Sequence, residues 1–258
     1  MTPCLLALDT STDLMAVALL TPAGEYLANE RGGPLASARL IPLLLQLLAD
    51  AGVALSEVQA IAFGQGPGAF TGLRTACAVA QGLAFAGNTP VLAIDSLLLI
   101  AEDARAQATE YAASTKTRPG LNITSAPEDW WVAMDARMDE VYAARYVHDG
   151  KGWQTSMAPQ LWTLPALSRA WLAEPPLRVA GSAASAFGDR LPWGDIERWP
   201  ETHNRASALL RLAREAWVQG RGIAADQALP LYLRDKVALT SAERLVLRQT
   251  VAPVATIA

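Results

Sequence analysis

With 258 residues, the chain is long enough for one large domain or two lobes around a buried core. Apolar residues make up 52% of it and charged residues only 18%, which excludes an intrinsically disordered chain and favours one that buries surface against another copy or a partner. The formal net charge of −4 argues against independent binding to a nucleic-acid backbone, because that binding requires clustered lysine and arginine.

The first half of the chain alternates short apolar runs with longer helical patterns. Gly52 follows a run of helical periodicity and suits the left-handed residue just after a helix. Pro42, inside that run, belongs either to the first turn or to a kink. The predicted order is three strands at CLLALD, MAVALL and YLANE, a helix over 36–51, a strand over 58–63, a helix over 70–86, a strand over 91–94 and a helix from Ser96 to about Tyr111.

The second half opens as the first does, with an apolar strand that ends in aspartate. Asp9 ends the first such strand and Asp135 the second, so we expect two similar α/β lobes. The polar, Pro- and Gly-bearing stretch 113–128 is predicted to be a linker or exposed loop. The further predicted elements are a strand–turn–strand WWVAMD-ARMD-EVYAARYV, a helix over 164–173, a strand over 177–181, and helices over 182–190 and 205–219. Lobe I is assigned to 1–112, lobe II to 113–234 and a tail to 235–258, with the helix at 205–219 a candidate to pack back on lobe I.

The N-terminus and the cysteines bear on the compartment. MTPCLLALD has no positively charged segment, and Asp9 ends its apolar run too early for a signal peptide. No uncharged apolar run reaches the length of about 18 residues that a membrane span needs. Cys4 and Cys77 both lie in apolar runs, which favours buried thiols in a reducing environment. The sequence therefore predicts a cytoplasmic protein that does not enter the membrane.

Two predicted helices carry more apolar surface than a helix needs to cover one face of a sheet. In the helix at 36–51, the polar side chains are confined to a narrow arc that includes Arg39 and Asp50. The helix at 70–86 has small residues at every fourth position, and their ridge would let another helix approach closely. These small residues are Gly72, Ala76, Ala80 and Ala84. Two interpretations stay open: both helices lie in the core beneath the other lobe, or one face of each packs on a partner chain.

The loop GQGPG (64–68) lies between a predicted strand and a predicted helix. Its glycines could present backbone N–H groups to an anion at the start of the helix. It is not a Walker A loop, which needs a lysine followed by Ser or Thr, and it departs from the dinucleotide fingerprint because the third glycine is misplaced. A purely structural turn explains the loop equally well.

A second candidate for ligand binding is the turn after the first strand. A carboxylate and a hydroxyl at such a turn can hold Mg²⁺ and phosphate, although a plain Asx or Ser/Thr turn has the same composition. The matching turn after Asp135 carries Arg137 and Met138, which are too bulky for close approach to a phosphate and argue against a full nucleotide clamp. The candidate cofactor-binding residues in the first turn and the glycine loop are Asp9, Thr10, Gly66 and Gly68.

Metal and nucleophile chemistry have little support in the sequence. Histidine occurs only at His148 and His203, so there is no HxxxH or HExxH motif, and no CxxC pair exists. No Ser, Cys and His residues are arranged as a triad that the sequence would reveal. The eight tryptophans are expected to pack in the core, because no basic residues are interleaved with them to bind bases. We therefore predict no catalytic residue and no metal ligand, which disfavours a peptidase.

The motif GQGPGAFTGLR after an apolar strand resembles the signature of the bacterial TsaB (YeaZ-type) family of tRNA threonylcarbamoyladenosine biosynthesis. The resemblance extends over most of the chain. LALDTST is similar to the opening strand and turn of that family, MDARMDEVYAARY to its lobe II hairpin, and PLYLR (230–234) to its C-terminal signature. Order and spacing also agree.

The resemblance implies a two-lobed α/β fold of the actin/hexokinase/chaperone-type ATPase (ribonuclease H-like) class. It implies a non-catalytic subunit that binds TsaD, the related catalytic subunit, and with TsaE enables threonylcarbamoyl transfer to the adenosine beside the tRNA anticodon, TsaC supplying the donor. A homodimer is expected when the chain is alone, and tRNA contact only through the complex. No cofactor is expected to bind the isolated chain tightly, with ATP or ADP a candidate in the complex. The main alternative is a nucleotide-dependent small-molecule kinase of the same fold.

Family members pair through the two apolar helices, so the resemblance places the interface there. The expected interface residues are Arg39, Leu40, Leu43, Leu44, Leu47, Phe70, Gly72, Leu73, Ala76, Ala80 and Ala84. Two departures from the family pattern stand out. Ala36 replaces the usual histidine before the first helix, while Ser37 keeps a hydroxyl, and no glycine follows Asp9, which argues against independent ATP binding.

Overall fold

The computed structural model describes residues 2–114 and 127–234, which form two lobes, each built on a five-stranded mixed sheet. The strands of the first sheet are β1 (Leu5–Asp9), β2 (Leu14–Thr21), β3 (Gly24–Arg31), β4 (Ala60–Gly66) and β5 (Val91–Asp95). They lie in the order β3-β2-β1-β4-β5, antiparallel from β3 to β1 and parallel from β1 to β5. Most of the predicted linker at 113–128 and all of the tail at 235–258 lie outside the described residues.

The second sheet repeats the topology of the first. Its strands are β6 (Glu128–Asp135), β7 (Glu140–His148), β8 (Trp153–Thr163), β9 (Arg178–Ala180) and β10 (Glu197–Trp199). They lie in the order β10-β9-β6-β7-β8, parallel from β10 to β6 and antiparallel from β6 to β8. The prediction of two similar α/β lobes is therefore confirmed at the level of strand order and direction.

Helices cover both faces of the first sheet. The helices of the described chain are α1 (Ala36–Ala51), α2 (Phe70–Gly87), α3 (Ser96–Ser114), α4 (Leu164–Ala173), α5 (Ala183–Phe187) and α6 (Arg205–Val218). Helices α1 and α2 pack on one face of this sheet, and α6 packs with the start of α3 on the other. Helix α3 also contacts the second sheet, so it lies between the lobes, while α4 and α5 cover the far face of lobe II.

The interior positions of α1 follow from its helical spacing. Ala36, Leu40, Leu44, Leu47 and Leu48 are buried, at intervals of three or four residues. The helix ends as predicted at Gly52, whose φ of 64° is the left-handed conformation that glycine adopts most easily. Pro42 lies inside the helix on its exposed side.

Together with the turn before it, α1 resembles a membrane span in length and composition. The stretch Gly33–Ala51 has a mean hydropathy of 1.3, but only 28% of the span-length window is buried in the protein. Its buried side is occupied by contacts with β2 and β3 of lobe I, and its other side carries Arg39. One apolar side of α1 therefore packs inside lobe I, and a second apolar side is left exposed.

The short strand β10 was not predicted. Two larger parts of lobe II also differ from the predicted elements. Strand β8 was not predicted, because it is an edge strand whose side chains are mostly exposed and whose sequence WQTSMAPQLWT lacks apolar alternation. The predicted helix at 182–190 is shorter, since α5 ends at Phe187 and a single 3₁₀ turn, Gly188–Arg190, follows. Neither difference changes the two-lobed architecture.

A hydrogen bond between the two sheets joins the lobes. The Tyr146 hydroxyl of β7 donates to the Asp95 carboxylate at the end of β5, at 2.5 Å. The other Asp95 oxygen accepts the backbone N–H of Leu97 at the start of α3, at 2.9 Å. Burial raises the pKa of the Asp95 carboxyl to about 6, although these hydrogen bonds act in the opposite direction.

The raised pKa of Asp95 predicts a pH-dependent effect of Asp95→Asn. A folded-state pKa above the unfolded value stabilises the fold only while the group is protonated, and that stabilisation is lost as pH rises through about 6. Asparagine, which carries no charge, should therefore gain stability relative to wild type by roughly 1.4 kcal/mol between about pH 5 and pH 8. Urea unfolding at both pH values measures this difference; an equal effect of the substitution at both would contradict it.

Candidate functional site

A cleft of about 820 Å³ separates the two lobes. Lobe I contributes the turn after β1 and the first residues of α2, and lobe II contributes the turn between β6 and β7 and the start of α5. Arg205 and residues 231–234 complete the lining. Of the four predicted cofactor-binding residues, only Gly68 lines this cleft; Asp9, Thr10 and Gly66 are buried behind its wall.

Asp9 is fully buried and all of its carboxylate contacts are intramolecular. Its Oδ1 accepts hydrogen bonds from Nη2 of Arg205 at 2.7 Å, from the Ser11 hydroxyl at 2.8 Å and from the Ser11 backbone N–H at 3.1 Å. Its Oδ2 accepts the hydroxyl of Ser96 at 2.9 Å. Asp9 therefore anchors the β1–β2 turn to α3 and α6.

Thr10 and Gly72 hold the same turn against α2. The Thr10 hydroxyl donates to the Gly72 carbonyl at 2.6 Å, and a Cβ on Gly72 would lie 1.8 Å from the Thr10 carbonyl oxygen. The Ser11 carbonyl accepts the backbone N–H of Ala69, the residue before α2, at 2.7 Å. Gly72 is thus required for the close approach of the turn, a role that the sequence pattern alone did not indicate.

The glycines of the loop at 64–68 also face protein rather than open space. A Cβ on Gly64 would lie 1.7 Å from Oδ2 of Asp9, and one on Gly68 would lie 2.4 Å from the Ser11 carbonyl oxygen. Gly66 has a φ of 111°, and its Cβ would lie 2.9 Å from the carbonyl oxygen of Leu231. Each glycine allows another segment of the chain to approach, which is the structural explanation that the sequence left open beside phosphate binding.

Residues 228–234, which we call the C-terminal strap, cross from lobe I to lobe II at the mouth of the cleft. The Leu231 N–H donates to the Gln65 carbonyl at 2.7 Å. Tyr232 packs against Phe70, with ring centroids 5.2 Å apart and the ring planes tilted by 38°, and its hydroxyl accepts a hydrogen bond from Arg74 at 3.0 Å. Beyond them, Arg234 forms an ion pair with Glu140 of lobe II. These contacts identify the PLYLR motif as an interlobe connection.

The lobe II turn that faces the cleft has an unusual backbone. Arg137, Met138 and Asp139 all have positive φ, between 56° and 66°, which non-glycine residues adopt at a cost. The Asp135 carboxylate accepts the Arg137 N–H at 2.7 Å, and Arg190 pairs with Asp139 at 2.8 Å. The hydrogen bond and the ion pair therefore hold the turn in place. The side chains of Arg137 and Met138 line the cleft.

Most residues expected at the interface of the helix pair pack inside the chain. Eight of the eleven expected interface residues are buried, because they pack on the sheet and on neighbouring segments. These eight are Leu40, Leu44, Leu47, Gly72, Leu73, Ala76, Ala80 and Ala84. Leu43 and Phe70 are half-buried, and Arg39 is exposed but paired with Glu30 at 2.7 Å. The small-residue ridge of α2 therefore packs in the core of lobe I, against its own sheet rather than beneath the other lobe.

A different stripe of each helix is exposed. Ala38, Ile41 and Leu45 lie along the outer side of α1, and Ala78, Gly82 and Phe85 lie along the outer side of α2. We call these six residues the outer apolar face. Ile41, Leu45 and Phe85 are 46%, 54% and 64% exposed, so large apolar side chains meet solvent here.

Gly82 has no structural use within the described chain. It lies inside a helix, where glycine costs about 1 kcal/mol relative to alanine, and a Cβ there would meet nothing within 4 Å. A second series of small residues, Ala78, Gly82 and Ala86, recurs at the same four-residue spacing as the buried ridge. This spacing was present in the sequence, but it does not by itself distinguish the exposed series from the buried one.

The paired sheets of equal topology, with a cleft between them, define a protein of the two-lobed actin/RNase H-like ATPase fold. The chain is 31% identical over 243 residues to the tRNA threonylcarbamoyladenosine biosynthesis protein TsaB of Haemophilus influenzae, an alignment that covers 90% of this chain and 94% of that protein. It is 29% identical over 244 residues to TsaB of Escherichia coli, covering 91% and 96% of the two chains. The chain belongs to the TsaB family.

Solved structures agree with this assignment. A YeaZ structure from Pseudomonas aeruginosa matches with a TM-score of 0.74 and 38% identity, covering 90% of this chain and all of that one. A second structure, from the same organism and described as an uncharacterized protein with similarity to peptidase YeaZ, matches with a TM-score of 0.75 at the same identity and coverage. A family model for TsaD, tRNA N6-adenosine threonylcarbamoyltransferase, matches residues 35–176.

The fold family implies a nucleotide with a divalent cation in the cleft, and the residues of this chain do not fit that group. The Asp9 carboxylate is fully buried and already accepts four hydrogen bonds from protein donors. Gly68 packs closely against the Ser11 carbonyl, which presents an oxygen rather than a donor. Within residues 2–114 and 127–234, no group of three or more His, Cys, Asp or Glu could hold a metal ion.

Proposed function

We propose that this chain is a non-catalytic subunit that binds TsaD through the outer apolar face and, with TsaE, activates threonylcarbamoyl transfer to the adenosine beside the tRNA anticodon. The observation that carries the proposal is this exposed face, with an otherwise unexplained glycine at its centre. An apolar stripe of this kind on a cytoplasmic chain favours an interface. A small residue at its centre lets a second helix approach closely.

The identity of the partner rests on the relatives. Those relatives are named for tRNA threonylcarbamoyladenosine biosynthesis, and the TsaD family model matches a stretch that includes both α1 and α2. A TsaD chain would therefore present a related helix pair, and two such pairs can form a four-helix contact of pseudo-twofold symmetry. The same geometry supports a homodimer of this chain when TsaD is absent.

The non-catalytic role rests on the cleft. The Asp9 carboxylate, buried behind the cleft wall, is paired with Arg205, and Arg137 and Met138 line the opposite wall. Any ATP or ADP in the complex is therefore assigned to the partner or to a shared site, rather than to tight binding by this chain alone. With a net charge of −4, the chain is expected to leave most tRNA contacts to its partner.

A reconstituted reaction with TsaD, TsaE, the threonylcarbamoyl donor, ATP and tRNA tests the activating role. Modified adenosine, measured by mass spectrometry of digested tRNA, should form with this chain and fall to background without it. Full modification in its absence, or ATP turnover by the isolated chain on a small molecule, would show that the role is wrong.

Leu45→Glu should weaken TsaD binding at least tenfold, because it places a charge on the exposed apolar stripe of α1. The matched control is Leu172→Glu on lobe II, since Leu172 is 69% exposed and Leu45 54%. Size-exclusion chromatography and calorimetry with TsaD measure the binding. Equal affinity of the two variants would exclude the outer apolar face as the TsaD site without bearing on the activity test.

A further inference from the structure

Arg205 is the first residue of α6, the helix by which the chain returns to lobe I after lobe II. Its side chain is only 2% exposed, although arginine is rarely buried. Nη2 donates to Asp9 at 2.7 Å and to the Ser11 hydroxyl at 3.1 Å. The guanidinium is therefore the positive charge that faces the buried Asp9 carboxylate.

Protein groups surround both oxygens of the Asp9 carboxylate. Three donors approach Oδ1 and one approaches Oδ2, against which Gly64 also packs. A buried carboxylate requires a positive partner, and at a strand–turn–strand position that partner can be either a divalent cation or a basic side chain. In this chain the positive partner is the side chain of Arg205, which lies 196 residues after Asp9 in the sequence.

This pairing has a mechanical consequence for α2. Arg205 binds Asp9 and Ser11 together, which fixes the β1–β2 turn. The Ser11 carbonyl in turn accepts the Ala69 N–H at 2.7 Å, and the Thr10 hydroxyl donates to Gly72 at 2.6 Å. The start of α2 is thus held by the β1–β2 turn, and the guanidinium neutralises the Asp9 carboxylate of that turn.

We propose that Arg205 takes the place of a divalent cation at the β1–β2 turn, so that the turn and the start of α2 hold their positions without bound metal or nucleotide. Arg205 is a positioning residue in this role. The proposal goes beyond the proposed function, because it concerns the free chain and holds whichever partner occupies the outer apolar face.

Thermal unfolding of four proteins tests it: wild type, Arg205→Ala, Arg205→Lys and the double variant Asp9→Asn/Arg205→Ala. The wild-type and Arg205→Lys melting temperatures should not respond to millimolar Mg²⁺ or Mn²⁺, with or without ATP. Arg205→Ala should melt roughly 10 °C lower, because it leaves a buried carboxylate unpaired, and the cations should restore part of the loss. The double variant should regain stability without cations and should not respond to them.

Hydrogen exchange adds a local readout. The Ala69 amide should exchange faster in Arg205→Ala and regain protection when Mn²⁺ is added. A wild-type melting temperature that rises with Mg²⁺ or Mg·ATP would overturn the proposal, as would an Arg205→Ala variant that is as stable as wild type or insensitive to cations. If Arg205→Ala does not fold, the double variant decides: a folded double variant supports charge compensation, and an unfolded one assigns Arg205 a packing role instead.

Discussion

Replacing Ala80 by arginine is expected to prevent the chain from folding stably. Ala80 is fully buried between α2 and the first sheet, in a cluster that includes Leu8 and Phe63. The cluster supplies neither space for a long side chain nor an acceptor for its charge. The expected loss is roughly 5 kcal/mol, comparable to the whole folding free energy of an ordinary domain.

Soluble yield and circular dichroism melting measure this effect. Ala78→Arg is the matched control, since it makes the same substitution two residues earlier on the exposed side of the same helix. That variant should melt close to wild type, because exposed helix positions tolerate arginine well. A folded Ala80→Arg chain would mean that the ridge of small residues is not core, contrary to the packing described above.

The second large effect is the loss of partner binding in Ala78→Arg. Ala78 lies one helical turn before Gly82 on the outer apolar face, where a closely approaching helix would leave no room for a guanidinium. The expected cost is about 3 kcal/mol of binding free energy, or somewhat more than a hundredfold in Kd.

Calorimetry of purified Ala78→Arg with TsaD provides the measurement, after its fold has been checked by melting. The homodimer should weaken as well if both pairings use the same face, which sedimentation of the free chain would detect. Wild-type affinity for TsaD in a folded Ala78→Arg chain would move the interface away from the centre of α2.

Local signals in the sequence were sufficient for most elements of the fold. Short-range patterns predicted three of the clearest boundaries: the end of β1 at Asp9, the end of α1 before Gly52 and the end of β6 at Asp135. Each of these boundaries depends only on neighbouring residues. Strand β8 could not, because an exposed edge strand has no buried face to impose alternation on its side chains.

The outward side of α1 and α2 was not predictable from periodicity. Both helices are apolar around most of their circumference, so the hydrophobic pattern cannot indicate which side faces the sheet. Two four-residue series of small residues run along α2, and the one through Ala80 is buried while the one through Gly82 is exposed. The rotation of α2 depends on long-range contacts, among them the contact between the Gly72 backbone and the Thr10 turn.

The contacts that occupy the cleft wall are long-range and have no local pattern. Asp9 and Arg205 are 196 residues apart, and Arg234 reaches Glu140 across 94 residues. Sequence reasoning identified Asp9 as a chemically interesting carboxylate, but it could not identify the side chain that neutralises it. The sequence therefore pointed to the carboxylate but not to the basic side chain that pairs with it.

The return of α6 to lobe I has a consequence for synthesis on the ribosome. Leu209 and Leu212 of α6 cover the face of the first sheet that contains Leu5 and Ala7. At usual elongation rates, α6 emerges roughly 5–20 s after the rest of lobe I. The strands of the second sheet lie between lobe I and α6 in the sequence, so they emerge before α6. We therefore expect the second sheet to form before the first sheet is covered on both faces. Until α6 emerges, the exposed face of the first sheet can be bound by chaperones.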